Sequence, residues 1–200
     1  MRLSKLISIL LHPIFMPIVV VYLSLNLVPN IGFAINNYLN FVFIILFLST
    51  ILLPLTSIFF LLKNGVISSF EINNHKERSL PIFITIIWMV YGYYKISSIL
   101  LFAPILKSEF LGAIIILSLA SIISRFWKIS LHMLGVGGLV GVLFGLNFLF
   151  GGLFQWIIIA IVFSGIVATA RLIEGAHTQG QVYAGFFTGL IIEFGCVLLF

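Results

Sequence analysis

An all-α, polytopic transmembrane helical bundle is the fold class this sequence predicts, on three observations. Of its 200 residues, 62% are hydrophobic and 8% charged, where a soluble domain carries about 25% charged residues to wet its surface. Mean hydropathy is +1.30, so the solvent for most side chains is lipid. The apolar residues gather in runs close to the ~20 residues that a helix needs to cross hydrocarbon.

Those runs fall at 6–27, 38–62, 81–102, 109–124, 132–150, 154–170 and 182–199. Seven spans are therefore expected. The segment 109–124 is short, so six is the alternative, with one segment re-entrant or two fused. Met1-Arg2-Leu3-Ser4-Lys5 is like a signal-peptide n-region, but the run after it is long and holds Pro13 and Pro17. No small-x-small cleavage site is clear, so an uncleaved first helix is expected. The fifth segment carries Gly135, Gly137, Gly138, Gly141 and Gly145, and the seventh has Gly185 and Gly189 four apart. Small residues at this spacing let helices approach closely in lipid, so a packing seam is expected. No internal repeat, low-complexity tract or linker interrupts the chain. A single integral membrane domain over 1–200 follows, in a multi-pass arrangement expected in the cell inner membrane.

Polar residues collect at alternate junctions. Arg2 and Lys5 precede the first segment. Lys63, Glu71, His75, Lys76, Glu77 and Arg78 lie between the second and third. Arg125, Lys128 and His132 lie between the fourth and fifth, and Arg171, Glu174 and His177 between the sixth and seventh. Seven crossings put eight of the ten Lys/Arg on one face. The opposite face is expected to hold Lys107, Glu109, the Gly151-Gly152 turn and the uncharged stretch 29–37. The positive-inside rule reads the basic face as cytoplasmic.

All five acidic residues are Glu, and Asp is absent. That removes magnesium-dependent lipid chemistry built on Asp-rich motifs and two-Asp intramembrane proteolysis. The single Cys196 excludes an intrachain disulfide and a multi-Cys metal site; it reads as a small apolar residue of the last helix. The net charge of +5 fits topology-setting loops, or an anionic ligand at the membrane surface. Nucleic acid is a poor partner, because no soluble domain presents a basic cluster.

Three junctions on the basic face combine cations with histidines: residues 73–81, then 128–132, then 170–181. Together they offer Lys76, Arg78, Arg171, His132 and His177. Arg clamps phosphate oxygens bidentately and Lys acts as a point charge. Histidine serves as nucleophile or general acid. The free N–H groups where the fifth helix begins, near His132, could also hold an anion. Two His, two Arg and one Lys without an acidic cluster fit metal-independent phosphoryl transfer, with no cofactor. One His attacks phosphorus, the other protonates the leaving alkoxide, and the cations neutralise charge on the equatorial oxygens.

These residues resemble the motifs of the type 2 phosphatidic acid phosphatases, the PAP2 superfamily. That family carries Lys-x6-Arg-Pro, Pro-Ser-Gly-His and Ser-Arg-x5-His-x3-Asp. Arg171 and His177 match the third motif in spacing, followed by Val182-Tyr183-Ala184-Gly185. Ser130-Leu131-His132 matches the second in part, and Lys76, Arg78 and Pro81 give a compressed first. The resemblance covers roughly 63–200; the first two helices carry no signal. It implies a PAP2-like core acting on lipid phosphates or diphosphates, with membrane lipids as partners. In that case His177 is the nucleophile, His132 the general acid, and Lys76, Arg78 and Arg171 the clamp, with Ser130 assisting. It also implies a site facing away from the cytoplasm, against the charge bias.

One departure bears on chemistry. The family's final Asp is Gln181 here, four residues after His177 and on the same helical face if the last helix starts by His177. An amide can fix the imidazole tautomer but cannot stabilise the imidazolium as a carboxylate does. Glu174 is a possible substitute if the Gly175 turn brings it near. The alternative function is a catalytically silent lipid-phosphate binder or carrier. A small-solute transporter fits less well, because inverted repeats are not evident.

The remaining polar residues have plainer readings. His12, before Pro13, is expected to hydrogen-bond within the bundle. Glu193 either does the same or lines a substrate path. His75 reads as a solvated loop residue, and Trp127 and Trp156 as interfacial belt residues.

Overall fold

The structure, a computed structural model, describes residues 3–69 and 75–199, the side chains of His75 and Lys76 apart. Every regular element among these residues is helical. Seven spans are long and apolar enough to cross a membrane: Leu3–Leu27, Pro29–Lys63, Glu77–Leu100, Pro104–Ile123, Leu131–Phe150, Phe154–Ile173 and Gln179–Leu198. The chain is an all-α, multi-pass helical bundle.

Prolines break the first two spans. In the first, α1 (Leu3–Leu10) stops short of His12, whose ψ of 137° is extended, the backbone a following proline favours. A 3-10 turn at Pro13–Phe15 then leads into α2 (Met16–Leu27). The second begins with a 3-10 stretch, Pro29–Tyr38, and continues as α3 (Leu39–Phe47). A π-helical turn at Leu48–Leu52 then precedes α4 (Leu53–Lys63). That turn lies just ahead of Pro54, which has no N–H for the helical ladder.

Five helices follow: α5 (His75–Leu100), α6 (Pro104–Ile123), α7 (Leu131–Phe150), α8 (Phe154–Ile173) and α9 (Gln179–Leu198). The short expected segment 109–124 is a full span because it starts earlier, at Pro104. This corrects the placement of Glu109 in a junction. Glu109 is 2% exposed, and Ser24 Oγ donates to its Oε1 at 2.6 Å. A hydroxyl from α2 thus satisfies one oxygen of a carboxyl expected at the face opposite the basic one.

α7 packs on α9, α8, α2 and α6 and is the central helix. The glycine seam is real. A Cβ at Gly137, Gly141 or Gly189 would collide with the carbonyl oxygen of Phe186, Leu190 or Leu134 respectively, and one at Gly185 would lie 2.7 Å from Ser130 O. The ascending order of these pairs makes α7 and α9 parallel neighbours in backbone contact. With little hydrophobic drive between helices in lipid, such close packing supplies the cohesion. A second apolar core, including Val42, Leu46, Met89, Ile96, Leu106 and Leu146, ties α3, α5 and α6 to α7.

Candidate functional site

The chain folds into the site at the start of α9. After α8 ends, Gly175 takes φ +62°, a left-handed turn that glycine adopts without strain. Thr178 then caps α9 through a capping box. Its Oγ1 accepts from Gln181 N, and Gln181 Oε1 accepts from Thr178 N at 3.1 Å. Two helix-end N–H groups are satisfied reciprocally.

His177 sits against this cap, 7% exposed. Its Nδ1 lies 3.1 Å from Lys128 O and 3.3 Å from Gln181 Oε1. Both partners are acceptors, so Nδ1 carries the hydrogen, and the neutral ring keeps its free lone pair on Nε2. Burial, then the charges of Arg78 and Arg171, push His177 down to about 4, although the bonds to Gln181 and Lys128 oppose the shift. The ring is neutral at physiological pH.

The cations surround it. Arg78 comes from the first turn of α5, Arg171 from the last turn of α8, and Lys128 from the connection before α7. All three line one cavity with His177 and His132. Burial and the nearby Arg78 and Arg171 hold Lys128 below its ordinary value. Arg171 Nη1 donates to Glu174 Oε2 at 2.6 Å and to Ser8 Oγ at 3.0 Å, and Ser8 Oγ donates to Glu174. Glu174 thus pairs with Arg171, while Gln181 is the side chain on His177.

α1 closes over this group, a contribution absent from the sequence reading. His132 Nε2 donates to Ser8 O at 3.0 Å, because a carbonyl only accepts. The rings of His12 and His132 meet edge-to-face with centroids 5.2 Å apart, and His12 Nδ1 accepts from Ile14 N at 3.2 Å. His12 is therefore bonded within the bundle and also borders the cavity. The His12-Pro13 pair was the available signal, since it breaks the helix and frees local backbone groups.

The other expected residues fall differently. Ser130 is fully buried as the N-cap of α7, accepting from Met133 N at 3.4 Å. It stands beneath the cavity wall and is not among the residues lining it. The side chains of Lys76 and His75 lie outside the described residues. Lys128, which is not among the expected phosphate ligands, lines the cavity.

The cavity measures about 740 Å³, within the usual range for a small-molecule site. Its cationic mouth lies at the basic face. Apolar walls from Met89, Phe110, Ile116, Leu117 and Leu139 run inward to Glu109 and Glu193. A charged head and an apolar tail would each meet a matching lining. The fold and this cavity define a multi-pass helical membrane protein with a histidine-bearing cationic pocket. No family model, curated protein or solved structure matches the chain.

Proposed function

We propose that this chain is a membrane-bound phosphatase of lipid phosphates or diphosphates, acting without metal through a phosphohistidine, in the manner of the PAP2 superfamily that its motifs resemble. The observation that carries the reading is the hydrogen bonding of His177. Nδ1–H is held by Lys128 O and Gln181 Oε1, so Nε2 is the nucleophile, in a cavity that also holds Arg78, Lys128 and Arg171.

In this mechanism the Nε2 lone pair attacks phosphorus and the bond to the lipid oxygen breaks. Lys128, Arg78 and Arg171 balance the charge on the equatorial oxygens. His132 takes up a second ring proton as the anionic substrate binds, then gives its Nε2 proton to the leaving oxygen, exchanging its bond to Ser8 O for one to the substrate and ending as neutral imidazole. As water attacks the phosphohistidine, His132 accepts the proton that the water loses, and phosphate is released from His177. The lipid tail occupies the apolar stretch between Met89 and Leu139. Membrane lipids are the milieu, and the cell inner membrane is the proposed location.

A second reading, a silent lipid-phosphate binder or carrier, draws on the 2.6 Å pair between Arg171 and Glu174. An arginine already engaged by a carboxylate is a weaker clamp, and Gln181 supplies no charge to an imidazolium. One experiment separates the two. Purified chain with a chelator is given phosphatidic acid or a polyprenyl diphosphate. Phosphate release that disappears in His177→Asn supports the enzyme. Tight binding of intact lipid supports the carrier, and equal release by the variant sinks the assignment.

A further inference from the structure

At the inner end of the cavity, away from the cationic mouth, lie two buried carboxyl side chains on packed helices, Glu109 of α6 and Glu193 of α9. Glu109 lies five residues into α6 and Glu193 five residues before the end of α9. Each is thus about 8 Å along its helix from the face opposite the mouth. They are 2% and 4% exposed, both border the cavity, and each has an Oε2 with no hydrogen-bond partner.

The packing makes room for this pair. The Glu193 carboxyl occupies the place where a Cβ at Gly112 would stand, and its Cγ lies 3.2 Å from where a Cβ at Gly138 would be. Gly112 is three residues after Glu109, so the two carboxyls share one face of α6 about a turn apart. Ser24 of α2 donates to Glu109 Oε1. α5 contributes Met89 and the π-helical turn Thr50. Tyr93 packs on Phe110 beside Glu109, with ring centroids 6.0 Å apart. On α9, Cys196 follows Glu193 by three residues and is buried. Lys107 precedes Glu109 by two residues, about 200° around the helix. The cations that line the cavity, Lys5, Arg78, Lys128 and Arg171, belong to its mouth.

Two ionised carboxylates in such apolar surroundings repel each other and lack the water that would screen them. Something positive must sit between them. A hard metal ion wants six or more oxygens. Here the Ser24 hydroxyl is spent on Glu109, the Thr50 hydroxyl donates to Leu46 O at 2.8 Å, and helix carbonyls are committed to the ladder. Among the described residues, no group of three or more His, Cys, Asp or Glu could hold a metal. A single proton needs only the two oxygens.

We propose that Glu109 and Glu193 form a proton-binding carboxyl pair, holding one exchangeable proton at the inner end of the cavity. The pair holds its proton whether or not the mouth transfers phosphate.

The test uses the full chain in detergent micelles and dicyclohexylcarbodiimide, an apolar reagent that adds to protonated carboxyls. At about pH 6, peptide mass spectrometry should find the adduct on Glu109 or Glu193. It should be lost in E109Q/E193Q and unchanged when sodium chloride replaces choline chloride. Should that double variant fail to fold, infrared spectroscopy of the wild type decides. A protonated-carboxyl C=O band that shifts on deuterium exchange, and that disappears when alkali removes the proton, is expected. Absence of both adduct and band would overturn the proposal. Protection by sodium at fixed pH would also overturn it, in favour of a metal-cation site.

Discussion

Gln181 Oε1 stands 3.3 Å from His177 Nδ1 and 3.1 Å from the Thr178 backbone nitrogen, so one amide oxygen both caps α9 and holds the imidazole. Replacing it separates orientation from charge. Gln181→Leu removes the acceptor and leaves Lys128 O alone on Nδ1. Phosphate release should fall at least tenfold, about 1.4 kcal/mol of transition-state stabilisation. Gln181→Glu keeps an acceptor and adds a charge, so the His177 value should rise from about 4. Nitrogen-15 NMR titration of the ring reads that shift directly; a fall in the variant would contradict the assigned Nδ1 bond.

The acid limb of the rate profile follows from the same imidazole. Protonation would destroy the proposed nucleophile, and a His177 depressed from 6.5 to about 4 stays neutral far into acid. The kcat/KM limb of the free enzyme should therefore lie near 4. A limb at 6.5 would place the nucleophile elsewhere. Stability moves with it. Between 6.5 and about 4 the unfolded ring binds a proton that the folded ring does not. Acidification through that window therefore favours unfolding, and the stability present above it is progressively lost. The melting temperature in detergent should drop between pH 7 and pH 5, less steeply in His177→Gln.

In the proposed phosphatase, Glu174 would compete with substrate for Arg171 through the 2.6 Å ion pair. Weakening that pair in Glu174→Gln should tighten inhibition by inorganic phosphate about fivefold, ~1 kcal/mol. A looser inhibition constant would mean that Glu174 positions Arg171.

The seam between α7 and α9 gives a paired stability test. Gly137→Ala drives a methyl into Phe186 O, and neither backbone can yield alone. A loss of about 1–3 kcal/mol is expected. Gly165 lies inside α8 with nothing within 4 Å of its Cβ position. Gly165→Ala should instead stabilise by up to ~1 kcal/mol. Thermal unfolding in one detergent compares the two variants.

The fold was legible because its information is local: apolar runs mark the spans, and glycines four apart mark the seam. Much of the candidate site was legible for the same reason, since Arg171, Glu174, His177 and Gln181 lie within one short stretch. What stayed hidden depends on distant partners. Ser8 reaches His132 from 124 residues away, and no motif in α1 announces it. Ser24 reaches Glu109 across 85 residues. Without that hydroxyl in view, Lys107-Ser108-Glu109 reads as a wet junction, and a buried carboxyl is taken for a surface one. Ser130 looked like a ligand by its place beside His132, whereas helix geometry turned its hydroxyl back onto the first turn of α7.

The central step of the proposed reaction is a bond from His177 Nε2 to phosphorus. Full-length chain mixed with phosphatidic acid or a polyprenyl diphosphate in a chelator, then quenched in alkali, should carry an alkali-stable, acid-labile phosphate on His177. Peptide mass spectrometry should locate it there, and His177→Asn should lack both the adduct and phosphate release. Intact lipid with no adduct, or undiminished release by the variant, would contradict the account.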